Sequence, residues 1–152
     1  MSLLQSLWQA LPQLSGYELV SLSGRCSKAR WQGKGEGAVI PDAISASHCY
    51  IKERGVFILE NGTELESHNE WLWQKLPDRV RLFHVRRGRD SPVELFELHE
   101  DVDSNTLRSI SPHLCGEDVY EATVWLINTN VHIRWCISGK VKDEQLNYCY
   151  HR

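Results

Sequence analysis

The sequence has no excess of basic residues, no long apolar run and no paired cysteines, and each absence removes a class of function. Seventeen Lys and Arg against twenty Asp and Glu leave a net charge of -3 over 152 residues. Bulk electrostatics therefore do not favour nucleic acid or an anionic membrane as a partner. No stretch approaches the ~20 apolar residues that a membrane helix needs. The N-terminus also lacks the basic region and apolar core of a signal peptide. Five cysteines, an odd number with no C-x-x-C pair, fit a reducing cytoplasm where each serves as a small apolar side chain. The seven histidines form no H-x-H or H-E-x-x-H arrangement, so no metal centre is expected. The series Gly33-Lys34-Gly35-Glu36-Gly37 is not followed by Lys-Ser or Lys-Thr, and it reads as a bent strand rather than a phosphate loop.

What is present is period two. The length suits one domain with one core. From Glu117 to Asn128, Tyr120, Ala122, Val124 and Leu126 share one face, while Val119, Glu121, Thr123, Trp125 and Ile127 share the other, which is the alternation of a strand. Asn128-Thr129-Asn130 reverses the chain, because asparagine tolerates left-handed backbone. Val131 to Ser138 returns with the apolar row Val131, Ile133, Trp135 and Ile137, and Gln145 to His151 makes a third strand. Earlier strands are expected at Gly16–Ser23, Gly33–Ile40, His48–Arg54, Val56–Glu60, Thr63–Leu76, Val80–Val85 and Val93–His99. Asn61-Gly62 supplies a strong hairpin signal. Pro41–Ser47 reads as a connection and Glu100–Pro112 as a longer polar loop. Leu3, Leu4, Leu7, Trp8 and Leu11 give the one helical face in the chain, with Ser2 and Gln5 as a capping box and Pro12 as its stop. This helix could plug a barrel end or serve as a homodimer contact. Nine or so antiparallel strands with short turns remove their free edges most simply by closing, so the expected fold is mainly β, an up-and-down barrel with a short N-terminal helix, residues 1–14, and the barrel over residues 16–152.

Three segments carry a resemblance: His113-Leu114-Cys115-Gly116-Glu117-Asp118-Val119-Tyr120, Trp135-Cys136-Ile137-Ser138-Gly139-Lys140-Val141-Lys142-Asp143, and Tyr148-Cys149-Tyr150-His151-Arg152. Together they resemble an uncharacterised, lipocalin-like β-barrel family with the motifs H-x-C-x-x-D-x-Y and W-x-V-x-G-P-x-K-D. The chain departs from the second motif with Ile137 for valine and Val141 near the usual proline. The resemblance implies a lipocalin-like or calycin-like barrel and no established activity.

The candidate site residues divide into three groups. Trp71 and Trp73 share a face of one strand and would line either the lumen or a patch. His113, Asp118 and Tyr120 could act as acid, base or orienting groups of a small enzyme, or tie the long loop to the barrel. Arg134, Trp135, Lys142 and Tyr148 depend on which row faces inward. An inward Arg134 would have to pair with a carboxylate or meet an anionic ligand head group, since an unpaired charge in a dry lumen is very costly. With the Trp135 row inward, the better candidate, Arg134 is an exterior charge. Trp125 is weighed as a core aromatic first and as part of a ligand-lining wall second. Arg79, Arg81, Arg86, Arg87 and Arg89 cluster on one hairpin with Phe83 and His84 between them, and neighbouring acids offset much of their charge. A single histidine, His48, His84 or His132, could hold a haem. The function expected is binding of a small apolar or amphipathic molecule in the lumen, with a small enzyme or an interaction module with a filled barrel as alternatives.

Overall fold

The computed structural model describes residues 1–24, 27 and 31–152. A helix, α1 (Leu3–Ala10), runs into a 3-10 turn (Leu11–Gln13). Eleven strands follow: β1 (Gly16–Ser23), β2 (Gly33–Ala43), β3 (His48–Leu59), β4 (Glu64–Lys75), β5 (Arg79–His84), β6 (Val93–Asp101), β7 (Thr106–Ser109), β8 (His113–Cys115), β9 (Asp118–Ile127), β10 (Asn130–Ser138) and β11 (Asp143–His151). Each pairs antiparallel with its sequence neighbour, except that β7 and β8 lie end to end along the same edge of β9. Leu107 stands opposite Val124, and His113 opposite Tyr120. The eleven strands thus make ten staves. An even number lets an all-antiparallel sheet close, and β11 does so by pairing with β1 from Gly16↔His151 to Ser23↔Glu144.

Three sequence expectations need correcting. The span Glu100–Pro112 is not a loop throughout, because it holds β7 with Leu107 fully buried. Its four residues are too few, and its surroundings too polar, for the alternation to register. The span Pro41–Ser47 is not wholly a connection, since β2 continues to Ala43. Proline is tolerated there because β1 pairs with β2 only as far as Gly16↔Ala38, which leaves Pro41 on an edge. The strands expected on either side of Gly55 are one strand, β3.

Helix α1 closes one end. The Ser2 and Gln5 side chains and backbones form the capping box, a device that stabilises by about 1 kcal/mol. Leu4, Leu7 and Leu11 are buried against the barrel. The helix is fixed from outside by the Leu4 amide donating to Glu100 Oε1 at 2.7 Å and Trp8 Nε1 donating to the Ala46 carbonyl at 2.9 Å. Above it the lumen is filled by inward rows, among them Ile51, Trp73, Leu82, Phe96, Leu98, Val124 and Ile133. The Asn128 backbone is left-handed (φ 57°), as the hairpin requires. No helix among the described residues is long and apolar enough to cross a membrane.

Candidate functional site

At the end opposite α1 the packing stops short. A hollow of about 320 Å³ lies among Trp71 of β4, His84 of β5, His113 of β8, Tyr120 of β9, Trp135 of β10 and Tyr148 of β11, with Leu95, Ile137 and Leu146 completing its apolar wall. Its floor is aromatic. Trp71 lies 5.3 Å from Trp135, centroid to centroid, and Phe96 meets Trp135 edge to face, also at 5.3 Å. His84 stacks on Trp71 at 4.6 Å. Burial and the nearby Arg86 cation hold the His84 pKa below its ordinary value, so this ring presents itself as a neutral, flat surface. Trp135 Nε1 is buried and has no hydrogen-bond partner among the described residues.

The rim is uneven, and the pairing shows why. β5 leaves β4 one step past the Trp71↔His84 pair, after the Val85 amide donates to the Glu70 carbonyl at 2.9 Å, whereas β4 runs on from Asn69 back to Glu64 beside β3. β6 meets β7 only from Leu98 to Asp101. The outer part of the β5–β6 hairpin, beyond Val85, therefore forms a flap with no ladder on either flank among the described residues. A register shift at Leu82/Phe83 turns it. Arg89 at its tip is held to the outside wall by Asp42 at 3.0 Å and Glu70 at 3.1 Å, with its guanidinium 3.9 Å over the Tyr50 ring. Beside the flap runs a groove of about 570 Å³ lined by Glu53, Asn69, Lys52, Arg54, His84 and Arg86, among others. His84 and Arg86 line both the hollow and the groove, so the two adjoin.

The family model of a family of unknown function, DUF6314, matches residues 19–152. The chain belongs to that family. No curated protein matches it. Among solved structures, a de novo designed fluorescence-activating β-barrel aligns with 97% of this chain and 98% of its own, at 12% identity and a TM-score of 0.47.

In this DUF6314 chain the hollow gathers five of the nine sequence candidates: Trp71, His113, Tyr120, Trp135 and Tyr148. The other four lie elsewhere. Trp73 is buried in the filled part of the lumen. Asp118 faces Lys142 at 3.2 Å, which ties the β8–β9 turn to the β10–β11 turn and raises the lysine pKa. His113 meets Tyr120 edge to face at 6.0 Å, while the Asp118 carboxylate is engaged by the lysine. Arg134 is on the outer wall, bonded to Asn147 at 3.1 Å and lying 5.4 Å over Trp125. The Trp135 row is the inward one, and Trp135 is 6% exposed. Trp125, weighed as a core or wall aromatic, is outside as well, stacked on His132 at 5.5 Å. Of the three haem-ligand candidates only His84 reaches the hollow, for His48 bonds Ser47 near the closed end. The arginine hairpin is largely neutralised: Arg79 and Arg81 meet Asp78, Glu94 and Glu97. Among the described residues no three of His, Cys, Asp and Glu stand together as a metal set.

Sequence reasoning missed Glu53. The signal was present, because parity on β3 places Glu53 in the row of Cys49 and Ile51, so an acid points inward. It is 2% exposed. Its Oε2 accepts from Trp71 Nε1 at 2.8 Å and from the Tyr150 hydroxyl, while Oε1 accepts from no described residue. The Asn69 amide, opposite Glu53 on β4, also draws the Glu53 pKa down. Burial dominates these attractions and pushes the Glu53 pKa up from 4.5 to about 7. It also raises Tyr148 and Tyr150 well above a free tyrosine, with Glu53 adding to the rise.

Between pH 4.5 and 7 the folded state holds a proton on Glu53 that the unfolded state releases, so this group's stabilising contribution is complete below 4.5 and is lost as pH rises through 7. The shift corresponds to a loss on the order of 3 kcal/mol. Glu53→Gln is expected to remove this slope, making the variant more stable than the parent at pH 8 and nearer to it at pH 5. Urea denaturation at the two pH values measures the difference. Equal stability gaps at both would contradict the assignment.

Proposed function

We propose that this protein binds a small, flat, largely apolar molecule in the open end of its barrel. The observation that carries the reading is the hollow of about 320 Å³ walled by Trp71, Trp135 and Tyr148, with the unpartnered donor Trp135 Nε1 on its floor. The volume lies at the small end of the range for ligand sites and suits one or two fused rings. A packed interior is normally filled to crystal-like density, so a void beside an unsatisfied polar atom is poor as structure and useful as a receptor. Aromatic faces hold a ring by stacking and area burial, while the indole N–H fixes its orientation. Up-and-down winding around a lumen is also how lipocalin-like carriers hold one small ligand. The four described cysteines, Cys49, Cys115, Cys136 and Cys149, are free thiols, which suits the cytoplasm as its place of action. Cys26 lies outside the described residues.

The test is native mass spectrometry on protein purified gently from its source, with an absorption spectrum alongside. The expected result is an added mass that disappears on denaturation, and a Soret band would identify that mass as haem. A bare chain is then challenged with one- and two-ring aromatics. At a hundred times Kd a ligand stabilises by about 2.7 kcal/mol, which raises Tm by several degrees. A bare mass together with an unmoved Tm across that series would sink the reading.

A further inference from the structure

Glu53 carries a buried, unsatisfied polar atom and is bonded to Trp71 of the hollow's wall, and it specifies what the occupant must bring. Resting on the lumen reading above, we infer that the ligand is a ring compound with an N–H donor, and that Glu53 is the group that reads it. The carboxyl is built into the wall. Its Oε2 is fixed by the indole N–H of Trp71, a residue that also lines the hollow, and by the Tyr150 hydroxyl. Its Oε1 accepts nothing from the described residues, although Glu53 is 2% exposed. A buried acceptor left unpaired costs the desolvation of that group, and for a carboxylate that cost is largest.

Two features indicate where the missing donor comes from. Glu53 and Asn69 stand opposite one another on β3 and β4, on the stretch of β4 that β5 no longer covers. They line the groove beside the flap, which adjoins the hollow at His84 and Arg86. Glu53 lines the groove and not the hollow, so a two-ring molecule lying against Trp71 and His84 meets it where the two spaces adjoin. The cations on this groove, Lys52, Arg54 and Arg86, argue against a cationic occupant and for a neutral donor nitrogen. Both Tyr150 and Trp71 already donate, so the carboxyl has no proton to share with an acceptor when ionised. A donor on the ligand completes it.

The experiment compares indole with indene, the same bicycle with a CH2 in place of the N–H, by calorimetric titration at pH 8. Indole is expected to bind at least tenfold more tightly, the range of one hydrogen bond to a charged acceptor. Glu53→Gln is expected to erase that preference with a Tm at or above the parent's. The variant's amide oxygen must take the Trp71 and Tyr150 donors, which leaves its NH2 in the place of Oε1. Equal binding of indole and indene by the parent protein overturns the assignment to Glu53 while leaving the lumen reading intact, as does an indole preference that survives in Glu53→Gln. Failure of both compounds to bind overturns the two together. The parent comparison needs no variant, so it stands even if Glu53→Gln does not fold.

Discussion

Gly55→Ala is expected to lower stability by about 3 kcal/mol or more, a drop in Tm of roughly 6–12 °C for a chain of this size. A β-carbon at Gly55 would stand 2.0 Å from the Glu36 carbonyl oxygen and 2.7 Å from the Tyr17 hydroxyl. Neither neighbour can retreat cheaply. Glu36 O belongs to a backbone held in the β1–β2 ladder opposite Glu18 and in the β2–β3 ladder opposite Val56. Tyr17 is wedged 6.1 Å from Tyr148 and 6.2 Å from Tyr150, ring to ring. Gly37, the register partner of Gly55, is equally tight, since a β-carbon there would come within 2.3 Å of the Arg54 carbonyl. The absence of side chains at this pair lets β2 and β3 bend together, and it makes room for the Tyr17 ring beside Glu53. Thermal unfolding followed by circular dichroism measures the effect. A Tm within 2 °C of the parent would mean that the bend absorbs a methyl group, contrary to this packing.

That glycine series shows what the sequence could and could not disclose. Its spacing excluded a phosphate loop and identified a bent strand, because those conclusions need only local chemistry. What the bend is for required knowing that Tyr17 lies over it, a contact set by the register Tyr17↔Gly37↔Gly55 across β1, β2 and β3. The same division runs through the site. Alternation puts Trp135 and Arg134 on opposite faces, and the cost of an unpaired buried cation inclines the choice toward the Trp135 row. The structure settles it, with Trp135 inside and Arg134 bonded to Asn147 on the outer wall. Alternation could not separate Trp71 from Trp73, which share a face of β4. One ends at the hollow and the other in solid core, because depth along the barrel depends on the stagger of ten staves. A structural tie is the better reading of Asp118 from sequence, but its partner is not legible there: Lys142 stands 24 positions away, and no local pattern announces that the two join two turns. Glu53 was legible in principle, since an acid in the row of Cys49 and Ile51 breaks the apolar face. A single acid in such a row does not announce itself until the row is known to face inward.

Leu146→Trp is expected to weaken indole binding at least a hundredfold, about 2.7 kcal/mol, while leaving the barrel folded. Ala122 suggests itself first as a position to fill, and the structure shows why it is the poorer choice. It is 3% exposed, its amide and carbonyl both bond to Ser109, and it faces Trp135 across the β9–β10 ladder, so a large side chain there would overpack solid core. Leu146 also faces Trp135, on the β11 side, but it is only half-buried and lines the hollow itself. An indole grown from this position has the void to enter, and the cost of overpacking, about 1–3 kcal/mol in a full core, falls when the added atoms occupy empty space. Filling a void adds contacts, so a modest rise in Tm accompanies the loss of binding. Arg134→Ala, on the outer wall one residue from Trp135, is the control and is expected to bind indole as the parent does. Calorimetric titration of the three proteins, with Tm for each, separates the outcomes: full affinity in a folded Leu146→Trp would place indole elsewhere than the hollow, and lost affinity in Arg134→Ala would place it on the outer face. The pair thus tests whether the space enclosed by the staves, rather than the surface they present, is the part of this molecule that acts.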